Sequence, residues 1–430
     1  MKKNITTTTE AQQKPKMEKF SRYQKFLIAI LALLQFTVVL DFMILSPLGN
    51  ILIKEMSLTP EQFSWAVSAY GFAAGIAGFI SAGFNDKFDR KKILLFFYTG
   101  FIIGTLLCGL ATSFEYLLIA RIITGIFGGV IGSVSLAIVT DLFHFNQRGR
   151  VMGFIQMAFA GSQVLGIPVG LAIANHFNWH STFFMIVAIG GLIGLVVLFR
   201  MKPVDGHLNA QTENNPIKHL FRTIEKRDYR IAFLASALLP TGGYMMMPFG
   251  TTYVEHNIGI ASKDLPIIFL MTGIASMLIM PLVGRLSDRL NKFHVFVGGT
   301  FVAIIMVTIY TNLNPSPLWL VIMINVLMFV GIMGRIVPSN SLSTAVPDLK
   351  DRGAFMSVNS SLQYLMGGVS SKFAGLIVTQ ETPTSPLGNY DVLGLVVTVV
   401  SLICIFLVYR MSVIVREKTK TMNAQQVPAS

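Results

Sequence analysis

Apolar stretches of about 20 residues recur from one end of this chain to the other, each long enough to cross a hydrocarbon core of about 30 Å as one helix. In hydrocarbon every backbone polar group must be satisfied inside the segment, so runs of this length read as helices. They fall at 25–49, 62–84, 92–111, 115–141, 150–175 and 180–201, and resume at 230–254, 264–287, 293–312, 317–341, 354–379 and 390–413. Composition points the same way: 53% of residues are hydrophobic and 13% charged, where a soluble chain carries roughly a quarter charged. The expectation is an all-α polytopic membrane protein with twelve transmembrane helices. Its domains are a tail at 1–24, a six-helix bundle at 25–201, a linker at 202–229, a second six-helix bundle at 230–413 and a tail at 414–430. The linker carries Lys202, Lys218, Arg222, Lys226 and Arg227, and a short amphipathic helix around Ile217–Ile224 is expected to lie on the headgroups.

The net charge of +13 would suit a nucleic-acid partner, so the placement of the charges decides. Lys and Arg near helix ends stay on the cytoplasmic side. With the N-terminus taken as cytoplasmic, 29 of the 34 Lys and Arg fall in inner segments, Lys54 and Lys263 in outer loops, and Arg121, Arg335 and Lys372 within helices. The basic excess is therefore a topology signal, and no nucleic-acid partner is called for. The expected location is the cytoplasmic (inner) membrane with both termini cytoplasmic. The first twenty-odd residues are unlike a cleaved signal peptide, because the apolar run after them is too long and lacks a small-residue cleavage site. Cys108 and Cys404 both sit in apolar runs and read as packing residues.

The two halves resemble each other. Phe84-Asn85-Asp86-Lys87 after the second helix matches Leu286-Ser287-Asp288-Arg289 after the eighth. Arg148-Gly149-Arg150-Val151-Met152-Gly153 matches Arg352-Gly353-Ala354-Phe355-Met356-Ser357, and Pro47-Leu48-Gly49 matches Pro248-Phe249-Gly250. Six helices separate each pair, so the copies share one orientation. Parallel repeats of this kind place a site near the midplane between them.

These residues carry a family resemblance. Ala82 to Lys92, reading AGFNDKFDRKK, resembles the loop signature G-x-L-A-D-R-x-G-R-K/R of the major facilitator superfamily, with Ala82 and Asp89 at the glycine positions. Gly284 to Arg289 is its second-half echo. Leu117, Arg121, Gly125 and Gly128 resemble the fourth-helix signature of proton-driven members, with Thr124 where Gln is usual. Ser162 to Gly170, including Gly166, Pro168 and Gly170, resembles the fifth-helix antiporter signature, its proline displaced by one. The resemblance implies the major facilitator fold of two six-helix parallel pseudo-repeats. It is to the drug:proton antiporter branch or the neighbouring sugar-efflux branch, and the implied function is transport of a small molecule, not enzymatic catalysis.

An ionisable group in hydrocarbon costs at least about 2.5–3.5 kcal/mol and needs a reason. Asp41 is the only acid deep in the first helix. Burial disfavours its charged form, which suits a proton-coupling site, and a structural ion pair is the alternative. Thr37 lies one turn before it on the same face. Arg121 falls at a similar depth, so pairing with Asp41 is geometrically allowed; an arginine stays charged and cannot carry the proton itself. Arg335 either lines an inner cavity or snorkels to the headgroups, and Lys372 likewise. Gln35, Gln156, Gln163, Asn325, Asn359 and Gln363 are helix-borne polar groups that either line a cavity or bond between helices. Pro240, Pro248 and their neighbouring glycines predict a broken seventh helix, with Tyr244, Phe249 and Tyr364 as aromatic contacts for an amphipathic substrate. Asp86, Lys87, Arg90, Lys91, Asp288 and Arg289 sit at helix ends where charged contacts can latch the halves on the cytoplasmic side or simply anchor topology.

The function expected from this is proton-coupled efflux of a small amphipathic compound by alternating access, in a monomer whose partners are its cargo, protons and the bilayer, without a cofactor. Proton-coupled uptake on the same fold is the alternative. A membrane enzyme lacks its constellation, with no HExxH and no metal-ligand cluster, and ATP-driven transport lacks a GK[ST] loop. A channel remains a further class.

Overall fold

A computed structural model describes residues 20–81, 88–143, 145–206, 222–348 and 351–425. Twelve membrane spans follow in chain order. The first to sixth are Arg22–Ile44, Pro60–Ser81, Arg90–Gly109, Phe114–Leu142, Phe145–His176 and Trp179–Arg200. The seventh to twelfth are Arg227–His256, Leu265–Arg289, Lys292–Thr311, Leu318–Ala345, Arg352–Ile377 and Tyr390–Gln425. Eleven are long and apolar enough to cross a membrane by length and composition alone. The eleventh span is the less apolar one, and its 26 residues still reach about 39 Å at a rise of 1.5 Å per residue. Its polar residues are tolerated because one face of the span packs along the second, while Val369, Phe373 and Leu376 stay exposed on another. A Cβ at Gly71 would stand 2.9 Å from Tyr364 O, and one at Gly75 2.8 Å from Ser361 O.

Side-chain caps set several starts. Ser21 and Gln24 form a capping box on the first span, while Ser113, Asn178 and Asn291 cap the fourth, sixth and ninth. Two span ends depart from the sequence-based expectation for a physical reason. The first span ends at Ile44, not 49, because a turn through Pro47 intervenes before a short helix, Gly49–Glu55. The twelfth continues past 413 to Gln425, where Lys418 Nζ donates to Val346 O at 2.9 Å and pairs with Asp348. The seventh span is broken where the prolines predict, with a turn at Leu239–Pro240 and a 3₁₀ turn over Met247–Phe249. Most of the Ile217–Ile224 stretch, and Asp86 and Lys87, lie outside the described residues.

The ends of the bundle differ. One, here the basic end, carries Arg22, Arg90, Arg200, Arg227 and Lys292. Lys226 and Lys418 there form a network with Asp348 and Asp351, with Lys226 Nζ 2.5 Å from Asp351 Oδ2. Lys418 holds the Asp348 carboxyl below the usual carboxylate range, and the hydrogen bond to Asp351 raises Lys226 above the usual lysine range. At the opposite, far end a single apolar core runs through both sets of six spans, from Leu40, Phe63 and Trp179 to Tyr253, Val321 and Leu393. Towards the basic end this core divides. Leu31, Phe101 and Val134 belong to one cluster, and Phe233, Phe296 and Phe355 to another.

Polar contacts between the halves gather at the far end. Asn50 Nδ2 donates to Glu255 Oε2 at 2.7 Å, and Asn50 Oδ1 lies 2.7 Å from His256 Nε2. Ser46 Oγ donates to Met247 O, Thr251 Oγ1 to Ser46 O at 3.2 Å, and Lys372 Nζ meets Glu61 at 2.5 Å. Asn50 thus clasps two side chains of the opposite half. With spin labels at Lys54→Cys and Lys263→Cys, both exposed, Asn50→Ala is expected to lengthen and broaden the inter-label distance measured by pulsed electron resonance. An unchanged distribution would show that Asn50 does not hold this end closed.

Candidate functional site

Asp41 and Arg121 meet in the middle of the first six spans, both with no exposed side-chain surface. Arg121 Nη1 lies 3.0 Å from Asp41 Oδ2 and 3.3 Å from Asp41 O. The Thr105 hydroxyl donates to Asp41 Oδ1 at 3.0 Å, and the guanidinium rests over the Tyr70 ring, 4.7 Å from its centroid. Asp41 therefore spends its acceptors on two donors from the third and fourth spans. Arg121 Nε and Nη2 and the Tyr70 hydroxyl are buried without hydrogen-bond partners among the described residues. A pair with spare donors beside it can exchange partners, as a saturated network cannot. Thr37, on the same face as Asp41, bonds Tyr98 Oη at 3.0 Å.

Small residues let the helices that bear the pair pack closely against their neighbours. A Cβ at Gly125 would stand 2.6 Å from Tyr70 O, so only glycine lets the fourth span lie against the second with Arg121 one turn away. On the other side, Cβ atoms at Gly166 and Gly170 would come within 2.6 Å of Leu40 Cδ1 and 2.8 Å of Ile44 Cδ1. The antiporter-like segment thus packs the fifth span onto the helix that bears Asp41. Between those glycines Pro168 has no N–H to give, and the helix accommodates it with a π-turn over Ser162–Gly166, in which Ile167 N donates to Ser162 O.

A cavity of about 340 Å³ lies between the two sets of spans, within the size range of small-molecule sites. Its wall takes Phe42, Ser46 and Gln163 from the first half and Tyr244, Asn325, Met328, Met333 and Arg335 from the second. Asp41 stands one residue behind this wall. Phe42 is the partition, its ring 5.1 Å from Tyr70, 5.9 Å from Tyr244 and 6.3 Å from Tyr364 between centroids. Of the cavity candidates, Gln163, Tyr244, Asn325 and Arg335 line it. Phe249 is buried against Phe63, Lys372 is held by Glu61 over the Trp65 ring, and Gln35 is half-buried beside Gly132. Asn359 is buried and Gln363 half-buried in the eleventh span, both off the cavity wall. Gln156 lies in the fifth span's helix.

The description Major Facilitator Superfamily matches residues 31–371, most of the chain. The chain belongs to the major facilitator superfamily. Among its superfamily relatives is YceJ of Bacillus subtilis (strain 168), an uncharacterised MFS-type transporter, 28% identical over 267 residues that span 61% of this chain and 67% of that protein. Multidrug resistance protein 3 of the same organism is 34% identical over 145 residues, 34% of this chain and 28% of that one. The solved structure of a bacterial homologue of the human lysosomal transporter Spinster, inward-facing and unoccupied, superposes with a TM-score of 0.73 at 16% identity. The overlap covers 93% of this chain and 99% of that one, and it is a likeness of fold. Relatives and fold are those of membrane transporters, not enzymes.

At the basic end of this superfamily fold, the described part of the loop signature bonds within its own half. Arg90 Nε meets Asp141 Oδ2 at 2.9 Å, Lys91 Nζ donates to Leu198 O at 2.9 Å, and Asp89 Oδ1 accepts from Lys91 N and Val204 N. Asp288 and Arg289 are exposed. Sequence reasoning missed Phe42, Tyr70 and Thr105, which are neutral and so raise no anomaly in an apolar run.

Removing one member of a buried pair leaves the other uncompensated, a cost of about 3–5 kcal/mol. Asp41→Leu should therefore lower the thermal unfolding temperature of the purified protein in detergent. Asp41→Leu/Arg121→Leu should recover most of the loss. A double variant no more stable than the single would mean that the pair is not the source of the cost.

Proposed function

We propose that the protein is a proton-coupled exporter of small amphipathic compounds, working by alternating access as a monomer in the cytoplasmic membrane, with its basic end and termini cytoplasmic. The observation that carries this is the wholly buried Asp41–Arg121 pair one residue behind the wall of the central cavity. A proton arriving at Asp41 neutralises it and releases Arg121, whose spare donors then bind elsewhere. When the proton leaves, the pair re-forms. Arg121 keeps its charge throughout, so Asp41 is the carrier. Either change bears on the first span, and Phe42 transmits it to the cavity as the neighbouring residue.

The far-end closure and the division of the core towards the basic end support an inward-facing state. Rocking of one six-span set against the other about the glycine seams would open the far end by breaking the Asn50, Ser46 and Lys372 contacts. Export is favoured over uptake by the glycine–proline segment at Gly166–Gly170 and by the relative named for multidrug resistance.

The test is transport by inverted membrane vesicles holding an imposed pH gradient, with proton movement followed as amphipathic compounds are added. Wild type should dissipate the gradient on addition of a cargo, and Asp41→Asn should lose the response while retaining cargo binding. A mutant that responds like wild type would return Asp41 to a structural role. Gradient-driven accumulation on the cytoplasmic side would reverse the direction to uptake.

A further inference from the structure

Among the described residues the cavity wall contains one side chain with a full charge. Arg335, in Gly334-Arg335-Ile336-Val337-Pro338 of the tenth span, is 7% exposed and lines the cavity, and no described Asp, Glu, Lys or His shares the wall. Its Nε is buried without a hydrogen-bond partner, and no carboxylate pairs with it among the described residues. Asp41, the buried acid of the first six spans, is committed to Arg121. The neighbour of Arg335 is the thiol of Cys404 on the twelfth span, and a thiol is a weak acceptor. An arginine cannot shed its proton to escape the cost of burial. A guanidinium held in a membrane cavity without a counter-ion is therefore a site awaiting an anion.

The facing wall offers a second unfilled partner. Gln163, in the π-turn of the fifth span, is 8% exposed, lines the same cavity and has its Oε1 unpartnered among the described residues. Apart from the neutral polar Ser46, Thr251, Thr272 and Asn325, the rest of the wall is apolar or aromatic, with Phe42, Tyr244, Met328 and Met333 as adaptable surface. An occupant must supply an acidic group for the second half, a hydrogen-bond donor for the first, and an apolar body between.

We propose that the cavity binds an amphipathic organic anion, its acid group on Arg335 and an N–H donor on Gln163. The proposal rests on the reading of the cavity as the cargo site, and names the class of cargo. Loading a molecule that touches both six-span sets also explains how occupancy biases their rocking, since the two anchors belong to opposite halves.

The experiment uses the full chain in nanodiscs of neutral phosphatidylcholine, with empty nanodiscs as blank. Three fluorescent probes share a body and a sulfonamide N–H: dansylglycine, its uncharged amide, and the cationic dansyl ethylenediamine. Binding is read by fluorescence anisotropy. Dansylglycine should bind about tenfold more tightly than its amide, equivalent to about 1.4 kcal/mol, with the cation weakest. Arg335→Gln should abolish the preference for the acid over the amide, and a thermal unfolding temperature and gel-filtration profile matching wild type would show that the variant is folded. Arg335→Lys should keep part of the preference.

Equal binding of the three probes, binding of none, or an acid preference that survives Arg335→Gln would each overturn the proposal. Acid-selective binding in a protein that shows no proton-coupled flux would overturn the coupling reading and leave this one standing. Coupled flux without acid preference would do the reverse.

Discussion

One acid and one base face each other where neither can reach water, and the rest of the first six spans is arranged around that fact. Asp41 and Arg121 are both fully buried at 3.0 Å, and neither charge would be tolerated there alone. Their contact fixes the first span against the fourth at one depth and one rotation. Gly125, packed onto Tyr70, and Gly166, packed onto Leu40, hold the second span against the fourth and the fifth against the first, where the missing side chains let the partners of the pair's own helices close in. The pair is therefore a packing constraint as well as a chemical group, and a change in its charge state is felt along the helices that meet there.

The same economy governs the junction between the halves. The second and eleventh spans meet at Gly71 and Gly75, and the fifth and eighth at Gly273, where a Cβ would stand 3.0 Å from Val164 N. Seams of backbone against backbone would let the bundles rock, as the proposed alternating access requires, without repacking large side chains. The far end adds polar contacts that can be exchanged for water: Asn50 with Glu255 and His256, and Glu61 with Lys372. In the cavity beneath, the unfilled partners of Arg335 and Gln163 come from opposite halves, so whatever fills them ties the bundles together.

Much of this was legible in the sequence, for reasons that can be named. The spans are long, apolar and bounded by charge, and the depth of Asp41 and Arg121 follows from a rise of 1.5 Å per residue. The broken seventh span could be read from Pro240 and Pro248. The end of the first span could not, because apolar residues continue through the turn at Pro47 into the short helix after it. The twelfth helix outruns its apolar stretch because Lys418 finds Asp348 and Val346, a tertiary contact without local signature. Helical spacing says which polar residues share a face but not which neighbour that face meets. Gln163 and Asn325 therefore reach the cavity while Gln35 and Asn359 do not. Phe42 and Tyr70 carry no charge to mark them, though Phe42 lines the cavity next to Asp41 and Tyr70 lies under the Arg121 guanidinium.

The most direct measurement is chemical labelling of Asp41 by a membrane-soluble carbodiimide, which reacts with a carboxyl group in its protonated form. The purified protein would be treated over a range of pH in which it stays folded, and the modified residue identified by mass spectrometry. If Asp41 carries the transported proton, labelling should rise as the pH falls, and Arg121→Leu, which removes the competing partner, should raise it further. If Asp41 stays unlabelled at every pH in both proteins, it does not take up a proton, and the pair is a fixed strut.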